Sequence, residues 1–216
     1  MGSSIILVLT FIACVQLSLA EDETTAPTDD FQRTVIFIQR QTAYGQDLFL
    51  RGGSDNGEET GAVPIEHRLD GGENEKFKAW KVGDNYLDWY GAENGQGSFG
   101  GTAASGTPMV WTTNNETYSA TVSEDGFGYS ELNEWGDHYW MVDVNMDCSQ
   151  TENGWFEVKR FLPGEGWEGD VWQNEICDGD AGDEERPYTS HNHFGRCGFI
   201  NVFTSESNDC YINSFE

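Results

Sequence analysis

His138-Tyr-Trp-Met-Val-Asp-Val-Asn-Met146 and Gly154-Trp-Phe-Glu-Val-Lys-Arg-Phe-Leu162 are the two stretches that decide the fold class. Side chains of an extended chain alternate between faces with a period of two. In the first stretch Trp140, Val142, Val144 and Met146 therefore share a face, with Asp143 and Asn145 opposite. In the second, Phe156 and Val158 share a face, and Trp155, Glu157, Lys159 and Phe161 lie on the other. Both patterns predict half-buried strands, and Glu157 and Lys159 are expected to point outward.

Upstream, Arg33-Thr-Val-Ile-Phe-Ile-Gln39 and Asp47-Leu-Phe-Leu-Arg51 are β-branched or aromatic runs divided by a turn at Ala43-Tyr-Gly45, hence two more strands. Phe77–Lys81, Tyr86–Tyr90 and Pro108–Thr112 are shorter candidates, and Gly198–Phe203 and Tyr211–Asn213 close the chain. The polar, Gly-rich stretches 54–75 and 91–106 are expected to be loops. The second contains Gly95-Gln-Gly97-Ser-Phe-Gly100, a formal dinucleotide fingerprint, but no helical pattern follows it and it is read as a turn. No stretch shows i, i+3, i+4 periodicity and no internal repeat is present. Many short strands joined by Gly-rich connections predict an all-β fold, an antiparallel β-sandwich with long loops.

The chain carries 38 Asp and Glu against 11 Lys and Arg, a net charge of −27. That excludes nucleic acid as a partner, since phosphate binding needs a dense basic face. It equally disfavours anionic membranes and polyanionic glycans. Strong net charge is also a signature of disorder, but 8 Trp, 8 Tyr and 13 Phe are the composition of a folded core.

The uncharged apolar run Ile5–Leu17, followed by small residues at Ser18 and Ala20, has the pattern of a secretory signal peptide over 1–20. It is short of the roughly 20 residues needed to span a bilayer. Residues 21–30 read as a flexible acidic leader, and 31–216 as a single domain. The expected location is extracellular. Loss of the signal removes Cys14 and leaves Cys148, Cys177, Cys197 and Cys210, which predict two disulfides in any of three connectivities. A zinc site on His191, His193 and Cys197 competes with that reading but lacks a close Cys pair. Asn115-Glu-Thr117 is a glycosylation sequon.

No nucleophile elbow, HExxH or Cys/His spacing marks an enzyme, and the expectation is a non-catalytic protein without a cofactor. A glycoside hydrolase needs only two carboxylates and is kept as the lesser alternative. Asp178-Gly-Asp180-Ala-Gly-Asp183-Glu-Glu185 is dense in carboxylates, and Ca²⁺ takes six to eight oxygens from flexible loops. Asp178, Asp180 and Asp183 are therefore candidate Ca²⁺ ligands, and an acidic matrix or mineral-interacting protein is the second functional class. The Trp residues point elsewhere. Several stand beside Gly, Asp, Asn or Glu, as in Asp88-Trp89-Tyr90 and Gly166-Trp167-Glu168. An exposed ring offers a flat apolar face to a sugar, and polar neighbours can bond its hydroxyls.

A resemblance follows from these residues. Arg33–Ile38, Gly45-Gln-Asp-Leu-Phe-Leu-Arg-Gly-Gly53, Tyr86-Leu-Asp-Trp-Tyr-Gly-Ala-Glu93 and Gly106-Thr-Pro-Met-Val-Trp111 look like the module at the C-terminus of some animal α-amylases. Gly136-Asp-His-Tyr-Trp140, Asp147-Cys148, Gly154–Lys159 and Trp167-Glu-Gly-Asp170 continue the likeness in order. More distantly the chain is similar to the starch-binding family of carbohydrate-binding modules, which are immunoglobulin-like sandwiches. The resemblance implies a neutral starch- or glycogen-like glucan as partner. Carried over by position, it implies Trp89 and Trp167 stacking on glucose rings, with Glu157 and Lys159 bonding hydroxyls. Two departures stand out. The link from Gly53 to Trp89 is much longer than the family's, and the Cys-rich segment after Trp172 has no counterpart. That segment either covers the expected site or supplies a new one.

Overall fold

Fifteen strands are present among residues 30–54, 63–68, 84–99, 101–121 and 128–215, the parts of the chain that the computed structural model describes. The signal segment 1–20, all but the last residue of the leader 21–30, and the Phe77–Lys81 run lie outside the described residues. The strands are β1 (Phe31–Gln39), β2 (Phe49–Gly53), β3 (Ile65–Arg68), β4 (Tyr86–Leu87), β5 (Ser98–Phe99), β6 (Thr102–Ala103), β7 (Thr107–Pro108) and β8 (Val110–Thr113). They continue as β9 (Gly128–Tyr129), β10 (Tyr139–Asp147), β11 (Trp155–Leu162), β12 (Gly166–Trp167), β13 (His193–Arg196), β14 (Ile200–Thr204) and β15 (Cys210–Asn213). The only helical turns in those residues are two 3-10 segments, Glu116–Thr121 and Cys148–Gln150.

Two sheets form an all-β sandwich. The larger runs β15-β14-β1-β10-β3-β4, with β8 also on β10 and β9 on β8; the smaller runs β12-β11-β2-β7, with β13 also on β11. Most pairs are antiparallel, but β1 lies parallel to β14, with Val35 opposite Ile200 and Phe37 opposite Val202. Every residue of the run Thr34–Ile38 is buried because both faces of β1 are covered, Ile36 and Ile38 in one cluster and Val35 and Phe37 in another, so the strand has no polar side to alternate with. Ile36, Ile38, Trp140, Val142 and Val144 of the larger sheet meet Leu50, Phe156, Val158 and Leu162 of the smaller and Leu48 just before β2. Each such burial contributes about 1.5–3 kcal/mol.

The outer face of the larger sheet is also covered. Val35, Phe37, Val110, Met141 and Val202 pack under Leu132, Trp135, Tyr139 and Phe215, and the Phe37 and Trp135 rings are 5.3 Å apart. This corrects the half-buried reading of β10. Asp143, expected at the surface, is fully buried and takes both Nε (3.0 Å) and a terminal nitrogen (2.8 Å) of Arg33. A bidentate guanidinium satisfies the carboxylate that burial would otherwise leave stranded.

The disulfides are Cys148–Cys197 and Cys177–Cys210. The first joins the end of β10 to the turn after β13, so it ties one sheet to the other. The second fastens the segment before β13 to β15. Around Cys177 the chain folds so closely that two glycines are obligatory. Gly179 has φ of 101°, and a Cβ there would strike the Ile212 carbonyl; at Gly182 it would strike the Cys177 carbonyl.

Candidate functional site

The outer face of the smaller sheet carries the candidate site. Register sets Lys159 opposite Arg51, Phe161 opposite Phe49, and Phe161 opposite Trp167. Directly opposed residues of an antiparallel pair share a face, so Phe49, Phe161 and Trp167 form one row and Arg51 and Lys159 the next. Arg51 is clamped between rings: its guanidinium carbon lies 3.9 Å from the Phe161 centroid and 4.8 Å from that of Trp167. Its Nε donates to the Ser105 carbonyl. Burial lowers the Arg51 pKa below its usual value, and Asp88 and Asp84 pull it back.

Trp89 reaches this face from the bend after β4. The Gly52 N–H donates to the Asp88 carbonyl (2.8 Å) and the Tyr90 N–H to the Asp88 carboxylate (2.6 Å), which pins the bend to β2. The Trp89 and Trp167 ring centroids are 6.0 Å apart and their planes are inclined by 48°. Trp167 meets Phe161 edge-on at 5.4 Å and remains 45% exposed. Sequence positions far apart thus deliver two indoles to one surface.

Glu168 fixes Trp167 from behind. Its buried carboxylate accepts from His193 Nε2 (3.2 Å), the Glu206 N–H (2.6 Å) and the Arg160 N–H (3.3 Å). Burial alone would raise its pKa, but the His193 hydrogen bond and charge and the two amides outweigh that and hold it at about 2. The sequence sends Trp167 outward because its neighbour is committed inward.

Lys159 lies on the same face but, against the outward expectation, is buried at 8% exposure, and its Nζ reaches the exposed Asp170 at 3.3 Å. Asp170 also accepts from His191 Nδ1 at 2.9 Å. The His191 hydrogen bond, then that of Lys159, keeps the exposed Asp170 carboxyl below its usual range. His191 in turn lies 4.0 Å from the Trp172 ring.

Glu157 departs from expectation. It is only 1% exposed, lying between Gly53 and Phe194 in register, so it is not available at the surface beside the indoles. Alternation put it on the correct face. That face, however, is itself covered at this end: Phe194 is overlain by Tyr188 (5.0 Å) and the Arg186 guanidinium (5.6 Å), both from the Cys-rich segment.

Asp178, Asp180 and Asp183 are exposed, and their loop is organised by backbone bonds to β15, including Asp178 N–H to the Cys210 carbonyl and Ile212 N–H to the Asp178 carbonyl. Asp180 accepts from the Ser214 N–H at 2.8 Å. Among the described residues no three or more His, Cys, Asp or Glu are grouped as metal ligands. Cys197 is in a disulfide and His193 faces Glu168, which removes the zinc alternative. Asn115 is exposed, its side chain accepting from the Thr117 amide and hydroxyl. Gly95 and Gly97 lie in a turn that leads into β5, not a helix. No helix among the described residues is long and apolar enough to cross a membrane.

No protein-family model, curated protein or solved structure matches this chain. Its site therefore rests on its own geometry. The structure brings Trp89, Trp167 and Lys159 to one face, together with Arg51, Asp170 and Trp172, for which the sequence suggests no role, and His191, which the sequence offers only as a zinc ligand. Arg51 was visible as a lone cation among strand aromatics, and Trp172 as an aromatic between Val171 and Gln173.

Proposed function

We propose that this chain is a secreted, non-catalytic carbohydrate-binding protein for a neutral starch- or glycogen-like glucan. The Trp89–Trp167 pair carries the proposal: two indoles 6.0 Å apart on an open sheet face, one of them 45% exposed, beside Arg51 and Lys159. Ring faces take the C–H faces of sugars while the flanking charged groups bond hydroxyls. The 48° inclination favours a curved α-linked chain over a flat β-linked ribbon, which would want coplanar rings. A neutral polymer also suits a surface whose net charge repels polyanions. The apolar run at Ile5–Leu17 and the two disulfides support secretion.

Retention of the full chain on insoluble starch tests the proposal. Trp167→Ala is expected to weaken retention by about tenfold or more, the scale of one well-placed aromatic contact. Undiminished retention rejects this surface, and absence of retention on any glucan rejects the function. Release of reducing sugar by the wild-type chain rejects the non-catalytic part.

A further inference from the structure

We infer that Trp172, with Asp170, His191 and Lys159, forms a second sugar subsite continuous with the Trp89–Trp167 pair, so that the surface holds a run of glucose units. The inference rests on the glucan-binding proposal above and assigns a task to the Cys-rich segment.

Trp172 is 57% exposed, although the residues on either side of it are fixed inside the protein. Val171 is 1% and Gln173 2% exposed. The Val171 N–H donates to the His191 carbonyl at 3.0 Å. Gln173 is held twice by one residue, its Nε2 donating to the Phe194 carbonyl (3.0 Å) and its Oε1 accepting from the Phe194 N–H (2.8 Å). The backbone is thus anchored immediately before and after a large apolar ring that faces water. A Trp needed only for packing would be turned inward, because leaving its apolar area in water forgoes the hydrophobic gain. Tyr44 and Tyr90 are exposed too, but they lie in a turn and a bend.

Around the ring the polar groups are set in advance. Asp170 accepts from Lys159 and His191 through different oxygens, and each oxygen keeps acceptor capacity for a hydroxyl. His191 lies 4.0 Å from the indole and inclined by 48°, so it buttresses the ring. Preorganised partners lower the entropy cost of binding.

Contiguity follows from contacts. Trp167 touches Arg51, Arg51 lies opposite Lys159 across the β2–β11 pair, Lys159 reaches Asp170, Asp170 reaches His191, and His191 touches Trp172. A ligand longer than the indole pair would run along this line.

Calorimetric titration of the full chain with maltotriose and with maltoheptaose tests the subsite. Trp172→Ala is expected to weaken maltoheptaose by about tenfold and leave maltotriose within about twofold, since only the longer chain spans both subsites. Trp172→Tyr keeps a ring and should restore most of the loss; Trp167→Ala should weaken both sugars. Unchanged maltoheptaose affinity in Trp172→Ala, with Trp167→Ala impaired, overturns the subsite and leaves the glucan proposal intact. Equal weakening of both sugars by Trp172→Ala overturns a separate subsite. If the wild-type chain binds neither sugar, the glucan proposal fails and the subsite fails with it.

Discussion

Asp84 is a carboxyl buried where its charge has little support. It is 2% exposed, accepts from the Tyr86 N–H at 3.1 Å and from Thr107 Oγ1 at 3.4 Å, and shares a hydrogen bond with Glu93. Burial first, then the Glu93 hydrogen bond and the charges of Glu93 and Asp88, raise it from 3.8 to about 8. A raised folded pKa gives stability that is complete below 3.8 and is lost as pH rises through about 8. Beyond Thr107 lies His67, buried, its Nε2 3.2 Å from Oγ1, and burial lowers it from 6.5 to about 4. Its contribution has the opposite sense, present above 6.5 and lost as pH falls through about 4. Glu168 adds a later acid limb, lost between 4.5 and about 2. Asp84→Asn isolates the alkaline limb, because the amide keeps the acceptor for Tyr86 and never ionises. Relative to wild type, the variant should gain at least about 1.4 kcal/mol between pH 4 and pH 9, the worth of one pKa unit. Urea unfolding at the two pH values measures it, and an equal difference at both would show that Asp84 does not carry the alkaline loss. Trp89 follows within the same short segment, so the alkaline loss should begin beside the proposed binding surface.

At the level of elements, β1, β2, β10, β11, β14 and β15 were all legible as β-branched or aromatic runs. What they face was not. Alternation places the polar residues outward, yet Asp143 is buried against Arg33 and Glu157 is 1% exposed opposite Phe194, which a segment remote in sequence covers. Alternation reports which residues share a face; whether that face is wet depends on long-range cover that no local pattern encodes. The same limit explains the site. Polar flanks and a resemblance point to Trp89 and Trp167, whereas Asp170, His191 and Trp172 meet through long-range bonds, Val171 N–H to the His191 carbonyl and Gln173 to Phe194, in a segment that Cys177–Cys210 also ties to β15. That disulfide spans 33 residues of sequence. Replacing both cysteines by Ser should therefore cost roughly 3–4 kcal/mol, the loop-entropy scale for such a ring. Urea unfolding reads the loss directly. Stability unchanged in the double variant would mean that the backbone bonds between 177–182 and β15 hold the segment by themselves.

Across the whole molecule, the charge of −27 is not relieved by pairing. Of the 11 cations, Lys76, Lys78 and Lys81 lie outside the described residues. Arg33, Arg40, Arg68, Lys159, Arg160 and Arg196 are each matched to a carboxylate, while Arg51 and Arg186 sit over aromatic rings. Most of the 38 acidic side chains therefore have no cation to meet, and their mutual repulsion opposes the folded state. Added salt shortens the reach of that repulsion from about 30 Å at 0.01 M to about 10 Å at 0.1 M. Thermal stability should then rise with NaCl, by about 2–4 °C for each kcal/mol of repulsion removed from a chain of this size. Binding to a neutral glucan should not follow, because ring stacking and hydroxyl bonds involve no ligand charge to screen. Melting scans and glucan titrations at 0.01 M and 0.5 M NaCl separate the two effects. A midpoint that stays level would show the repulsion to be relieved within the fold. An affinity that falls steeply with salt would replace the neutral glucan with a charged ligand, held by Arg51 and Lys159 rather than by the indoles.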